Sequence, residues 1–397
     1  MQIPRIISVD DHVLEPPDLW QKRLAARFRE QGPRVLRQRR ARTSQGWVES
    51  PEGTWCDVWH YADLVSPLLM LSAAVGFPAL SFDVTTYDEV RPGAWRQAGR
   101  LADMDFDHVD AAVCFPNTLP RFCGQTFLER GDRDLALACV EAYNDWMIDE
   151  WCAGDGYGRL IPLTIVPLWD ASLAAEEIRR CAAKGSHAVA FTENPHPLGL
   201  PSLHDPSRHW DPFFAACEET ETIVCMHIGS SSSMPTTSPD APFIVSSVLD
   251  WQNACGSLTD YIFSLTLHRF PGLKLAYSEG QVGWMPYLLE RADKKWEEFH
   301  GEEFGNPLPE PPSSYIPGRV FGCIFEDETG LYNRHAIGMD QICFETDYPH
   351  AQATWPNTAQ QLAKQCERAG LNDDEIYKLA RGNAINAFGL QRFGINH

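Results

Sequence analysis

Eight short apolar runs punctuate the chain, at Ile3–Val9, Ala111–Phe115, Leu160–Val166, Ala188–Phe191, Thr222–Ile228, Leu273–Tyr277, Val320–Phe325 and Ile342–Thr346. Val, Ile, Phe and Cys dominate them, and strict apolar–polar alternation is missing. That pattern predicts strands buried on both faces, as in a parallel sheet. Apolar residues at helical spacing fill most of the intervals, over 134–152, 172–185, 247–270 and 282–299. A further helix is expected near Pro356, and another over 372–390, where an Asn cap, an acidic first turn and a late Gly coincide. Strands alternating with helices predict an α/β fold, a (β/α)8 TIM barrel, with a doubly wound open sheet as the alternative. Two stretches break the alternation. Residues 35–95, after the first strand, are rich in Arg, Trp, Pro and Gly, and 301–318 are rich in Pro. Both are expected as insertions, with 35–95 serving as a lid or an interface segment.

Composition narrows the partners. The 397 residues carry a formal net charge of −21, spread along the chain. Nucleic acids and anionic membranes need a basic face, so neither is expected as a partner. No apolar run reaches the length of a membrane span, and the first residues lack the apolar core of a signal peptide. The twelve cysteines include no CxxC pair, the nearest two being Cys217 and Cys225. Scattered reduced thiols in a cytoplasmic protein are expected. The whole chain, 1–397, reads as one domain.

Chemistry in such a barrel gathers at the C-terminal ends of its strands. The first strand ends in Asp10-Asp11-His12, the fourth in Thr192-Glu193-Asn194, the fifth in His227, the sixth in Ser278-Glu279 and the eighth in Asp347, with His350 just beyond. Residues i and i+2 of a strand share a face, so Asp10 and His12 are expected to point inward and Asp11 outward, toward the helices. Carboxylates and imidazoles converging on one mouth suit a divalent ion such as Zn²⁺, Mn²⁺, Mg²⁺ or Fe²⁺. Plain alternatives stand beside each: a core histidine for His227, a turn residue for Asp347, a loop cap for Asp10. No G-x-S-x-G elbow and no G-x-G-x-x-G loop is present, so neither a serine triad nor a dinucleotide cofactor is supported.

Together, "VDDHVLEPPDLW", "MHIGSS", "RFPGLKLAYSEG" with "GWMPYLLERAD", and "FETDYPH" resemble the amidohydrolase-related (amidohydrolase 2) family. The branch with aminocarboxymuconate semialdehyde decarboxylase and the hydroxybenzoate decarboxylases is the most similar. The resemblance runs from residue 3 to about residue 390 and is thinnest over 35–95. It implies a distorted barrel holding one divalent metal, with Asp10, His12, His227 and Asp347 as ligands. The family's strand-six histidine is missing, and Glu279 stands near its place, with Ser278 as the other candidate. The resemblance further implies a small-molecule substrate and a homodimer.

The expected activity is non-oxidative decarboxylation of a small aromatic or unsaturated carboxylic acid, with Asp347 as proton shuttle and His350 assisting. The same residues would equally serve a metal-dependent hydrolase of an amide, ester or lactone. Without the strand-six histidine, a metal-free barrel with a binding role also stays open. Glu193, Asn117 and Trp284 are candidate substrate contacts.

Overall fold

The computed structural model describes residues 2–44, 46–79 and 81–396; Met1, Gln45, Leu80, His397 and the side chain of Glu302 lie outside it, so two positions of the 35–95 segment do too. Among the described residues the strands are β1 (Ile6–Val13), β2 (Arg34–Thr43), β3 (Gly46–Glu49), β4 (Thr54–Tyr61), β5 (Leu64–Pro67), β6 (Val109–Pro116), β7 (Leu160–Ile161), β8 (Ala188–Phe191), β9 (Ile223–His227), β10 (Leu275–Ser278), β11 (Val320–Ile324) and β12 (Ile342–Phe344). Two sheets are parallel, β1-β6-β7 and β12-β11-β10-β9-β8. Their edges meet twice. Thr164, just past β7, bridges Val189 of β8 in parallel. At the other side the Asp347 N–H donates to Asp10 O (3.0 Å), and the His12 N–H donates to Tyr348 O (2.6 Å). The molecule is therefore a mixed α/β fold built on parallel sheets.

The apolar runs form the core as their composition demands. Every residue of β1, β8, β9, β10, β11 and β12 is buried. Helices cover the strands, and Phe191 of β8 stacks on Phe213 (4.5 Å between centroids) of helix Asp211–Glu219. Caps fall where side-chain chemistry favours them. Asp170 accepts from the Ser172 and Leu173 N–H groups at the start of Ala171–Ala183, and Asn372 forms a capping box with Glu375.

Four elements depart from the sequence expectation. The first strand continues to Val13, so Asp10, Asp11 and His12 lie inside it, and its register with β6 shifts between Ser8 and Asp11. The run expected over Leu160–Val166 pairs only at Leu160–Ile161 and Thr164, because Pro162 has no N–H to give the ladder. The helix expected over 247–270 is three pieces, Phe243–Leu249, Trp251–Phe263 and Thr266–Arg269, the last break falling at Leu265 with φ +63°. The segment expected as an insertion over 35–95 contains an antiparallel sheet, β3-β2-β4-β5, whose strands the apolar pattern does not mark.

One glycine holds two elements close. A Cβ on Gly93 would overlap the Asp103 carboxylate and the Tyr348 hydroxyl. Those two groups are hydrogen-bonded at 2.5 Å. Gly93→Ala should therefore lower stability by about 1–3 kcal/mol, read as a shifted urea midpoint at unchanged slope.

Candidate metal centre

Asp10 and His12, two residues apart on β1, project into a shared space. His12 Nε2 stands 3.7 Å from Asp10 Oδ1 and 3.6 Å from Asp347 Oδ1. His227, the last residue of β9, brings its Nε2 to 3.2 Å from His12 Nε2 and 3.7 Å from Asp10 Oδ2. Its other ring nitrogen lies 2.7 Å from Ile228 O, which makes Nδ1 a donor and turns Nε2 toward the cluster. Glu279 follows β10 in a left-handed turn (φ +57°) that swings its Oε1 to 3.4 Å from His227 Nε2. Asp347, also left-handed (φ +54°), sits 2.8 Å from His350 Nδ1. The His350 ring stacks on His12 at 3.8 Å, and Phe122 stacks on His227 at 4.1 Å.

Asp11 points the other way, into a buried ion pair with Arg100 of helix Gln97–Phe106 (3.5 Å). Its Oδ1 also accepts from Ser8 Oγ (2.8 Å) and Thr346 Oγ1 (2.5 Å). Arg100 donates to Gly93 O (2.8 Å) and to His12 O, and its guanidinium lies over the Tyr348 ring. This network joins β1 to the segment after β12 and so holds the two halves of the cluster together.

Electrostatics follow from crowding carboxylates in a dry place. Burial, then Glu345, Glu279 and Asp347, push Asp10 well above the usual carboxylate range. Burial also raises Asp347, to about 7, with His350 opposing and Glu279 adding to the rise. Burial works to raise Glu279, but His227 and His350 outweigh it and hold it well below its ordinary value. Burial works to lower His350, yet Asp347 and Glu279 lift it to about 10. His12 is driven well below the ordinary imidazole value by burial, then by His350 and His227.

The donor set fits one divalent ion. Neither oxygen of the fully buried Asp10 accepts a hydrogen bond. One donor atom each from Asp10, His12, His227 and Glu279 lies within 4.8 Å of the others. An unpaired buried carboxylate facing two imidazole nitrogens is costly without a cation and well matched to one, and mixed N/O donors suit Zn²⁺ or Mn²⁺. His12→Ala and His227→Ala should each lower metal content at least about tenfold, measured by elemental analysis after metal-replete expression, with secondary structure checked by circular dichroism.

The remaining candidates are spent on protein partners. Glu193, raised by burial to about 7, accepts from Gly229 N (3.0 Å), Ser231 Oγ (2.8 Å) and Asn253 Nδ2 (2.9 Å). Asn117 Nδ2 donates to Ser72 O (2.8 Å), and Trp284 Nε1 donates to Gly280 O (2.7 Å). Glu345, two residues before Asp347 in "FETDYPH", also lies at the cluster, and its place at the same strand end is the signal for it in the sequence. For Phe122, which stacks on His227, no local pattern gives a signal. Beside His350 a cavity of about 340 Å³ opens between Val75, Phe77 and Trp355. The Val75 N–H, donating to Pro349 O (3.0 Å), holds that wall in place.

The model of the amidohydrolase family matches residues 54–390. No curated protein matches the chain. An amidohydrolase from Mycobacterium avium subsp. paratuberculosis K-10 is similar in structure, with a TM-score of 0.73, 22% identity, and 98% of this chain and 100% of that one covered. A 5-carboxyvanillate decarboxylase from Novosphingobium aromaticivorans, solved with manganese and 4-hydroxy-3-methoxy-5-nitrobenzoic acid, aligns at TM-score 0.62 and 17% identity over 97% of this chain and 96% of that one. A 2,6-dihydroxybenzoate decarboxylase from Rhizobium aligns at TM-score 0.60 and 15% identity over 98% and 100%. These likenesses show the shared α/β fold. The family match spans well over half of the sequence, so this chain belongs to the amidohydrolase family and is a metalloenzyme of that superfamily.

Proposed function

We propose that the chain is a metal-dependent, non-oxidative decarboxylase of a small aromatic or unsaturated carboxylic acid. Its parallel strands are read as a distorted eight-stranded barrel, with the antiparallel sheet inserted after the first strand as part of the site's lid. The carrying observation is the Asp347–His350 pair, 2.8 Å apart, set between the donor cluster and the cavity. Asp10, His12, His227 and Glu279, with Asp347 alongside, would hold the ion. When bound, that ion supplies positive charge to orient the substrate's carboxylate and a neighbouring oxygen. Asp347 then delivers a proton to the carbon that carries the carboxylate. The bond to the carboxylate breaks, CO2 leaves, and Asp347 regains a proton from solvent. His350 keeps the Asp347 carboxyl aimed at that carbon. Phe77, Val75 and Trp355 wall a space suited to a single ring. The decarboxylases aligned above support this reading, since the Novosphingobium aromaticivorans enzyme was solved with manganese and a nitrobenzoic acid.

The test is to incubate the Mn²⁺-loaded protein with a panel of hydroxybenzoates in D2O. Released CO2 and one deuterium at the vacated ring carbon are expected. Hydrolysis of activated esters or lactones with no CO2 from any acid would overturn decarboxylation in favour of a hydrolase.

A further inference from the structure

We propose that Asp10, Cys323 and Glu345 form a second divalent-cation site, adjoining the first and sharing Asp10 with it. Asp10 comes from β1, Cys323 from β11 and Glu345 directly follows β12, so three neighbouring strands converge on the point. Cys323 Sγ and one carboxylate oxygen from each acid lie within 4.8 Å of one another. All three residues are buried, none with more than 1% of its surface exposed. Glu345 Oε2 accepts from the Cys323 thiol (2.6 Å) and from the Glu279 N–H (3.1 Å). The Cys323 thiol also reaches Tyr277 O (3.1 Å). That leaves Glu345 Oε1, with both oxygens of Asp10, buried and accepting no hydrogen bond.

Those orphaned oxygens are suited to a cation. Buried carboxylates are paired with cationic side chains or bind metal. Among the described residues no Lys or Arg forms an ion pair with Asp10 or Glu345. Neither Asp10 oxygen accepts a hydrogen bond, and the residue belongs to both donor groups, as a carboxylate shared by two ions would. A thiolate beside two carboxylates selects a borderline ion such as Zn²⁺ or Co²⁺ over Mg²⁺ or Ca²⁺. On binding, the S–H bond breaks, its proton goes to solvent and an S–metal bond forms, with no change of oxidation state. Cys323 and Glu345 have no part in the decarboxylase reading, so the two fail separately.

The experiment titrates the metal-free, full-length protein with Co²⁺ and follows bound metal together with the near-ultraviolet thiolate-to-cobalt absorption. Two equivalents and a thiolate band are expected. Cys323→Ser should bind one equivalent and lose the band, whereas His227→Ala should weaken the other equivalent and keep it. Glu345→Gln should keep the band but weaken its midpoint about tenfold or more, which serves if Cys323→Ser does not fold. A single equivalent with no band in the unmodified protein overturns the second site and leaves the first intact. A band that persists undiminished in Cys323→Ser also overturns it, and no bound Co²⁺ at all overturns both sites.

Discussion

Replacing Asp347 with Asn should leave the fold in place and cut turnover by about 10²–10⁴-fold, the usual worth of a positioned proton donor. The substitution is nearly isosteric. Asp347 occupies a left-handed backbone conformation, φ +54°, which Asn tolerates better than most residues. Its main-chain N–H, which donates to Asp10 O, is untouched. What is lost is the titratable carboxyl group, whose Oδ1 lies 2.8 Å from His350 Nδ1 and 3.6 Å from His12 Nε2. Turnover expressed per bound metal ion separates loss of the proton from loss of the ion. Full activity per ion in Asp347→Asn would show that the proton comes from elsewhere. Near-normal activity in His350→Ala, beside a dead Asp347→Asn, would confine the role to the carboxyl alone.

What could be read from sequence depended on whether burial left a pattern. Ala188–Phe191, apolar throughout and buried throughout, runs over the same residues in sequence and structure. The first strand runs four residues past Val9, to Val13, because Asp10, Asp11 and His12 are polar yet buried, a combination that periodicity treats as loop. The antiparallel sheet was illegible for the opposite reason. Its strand "RVLRQRRART" is largely solvent-facing and has no apolar face to announce it. Pairing across the sheet stabilises it instead, through Arg37 with Asp57 (2.9 Å) and the Arg39 guanidinium over Trp55 (4.9 Å). At the site, spacing and strand ends named Asp10, His12, His227, Glu279, Asp347 and His350, and the fold gathers these six. Spacing alone says nothing of which side chains other loops claim. Glu193, Asn117 and Trp284 face partners supplied by distant or irregular segments, and Arg100 reaches the cluster from the helix Gln97–Phe106, which the apolar pattern does not mark.

Arg100→Met should destabilise the protein by about 3–5 kcal/mol, the cost of removing one partner of a buried ion pair. Both Arg100 and Asp11 are essentially inaccessible, so water does not replace what is lost. Three groups are stranded together: the Asp11 carboxylate and the carbonyls of Gly93 and His12. Burial already pushes Asp11 above its ordinary value, and Arg100 is the main opposing influence, so without Arg100 the acid is driven toward its protonated form. Asp11 would still accept from Ser8 and Thr346, which limits the damage to the charge itself. Urea unfolding of Arg100→Met, Asp11→Asn and the double variant measures this directly. A coupling of about 0.5–3 kcal/mol is expected, with the double variant less damaged than the sum of the singles. Strict additivity would mean that Arg100 acts through its carbonyl contacts and its stacking on Tyr348 alone. Because the same network ties β1 to the turn bearing Asp347, the Arg100 variant should also lose metal affinity while its secondary structure persists, whereas a change remote from this seam that costs equal stability should not.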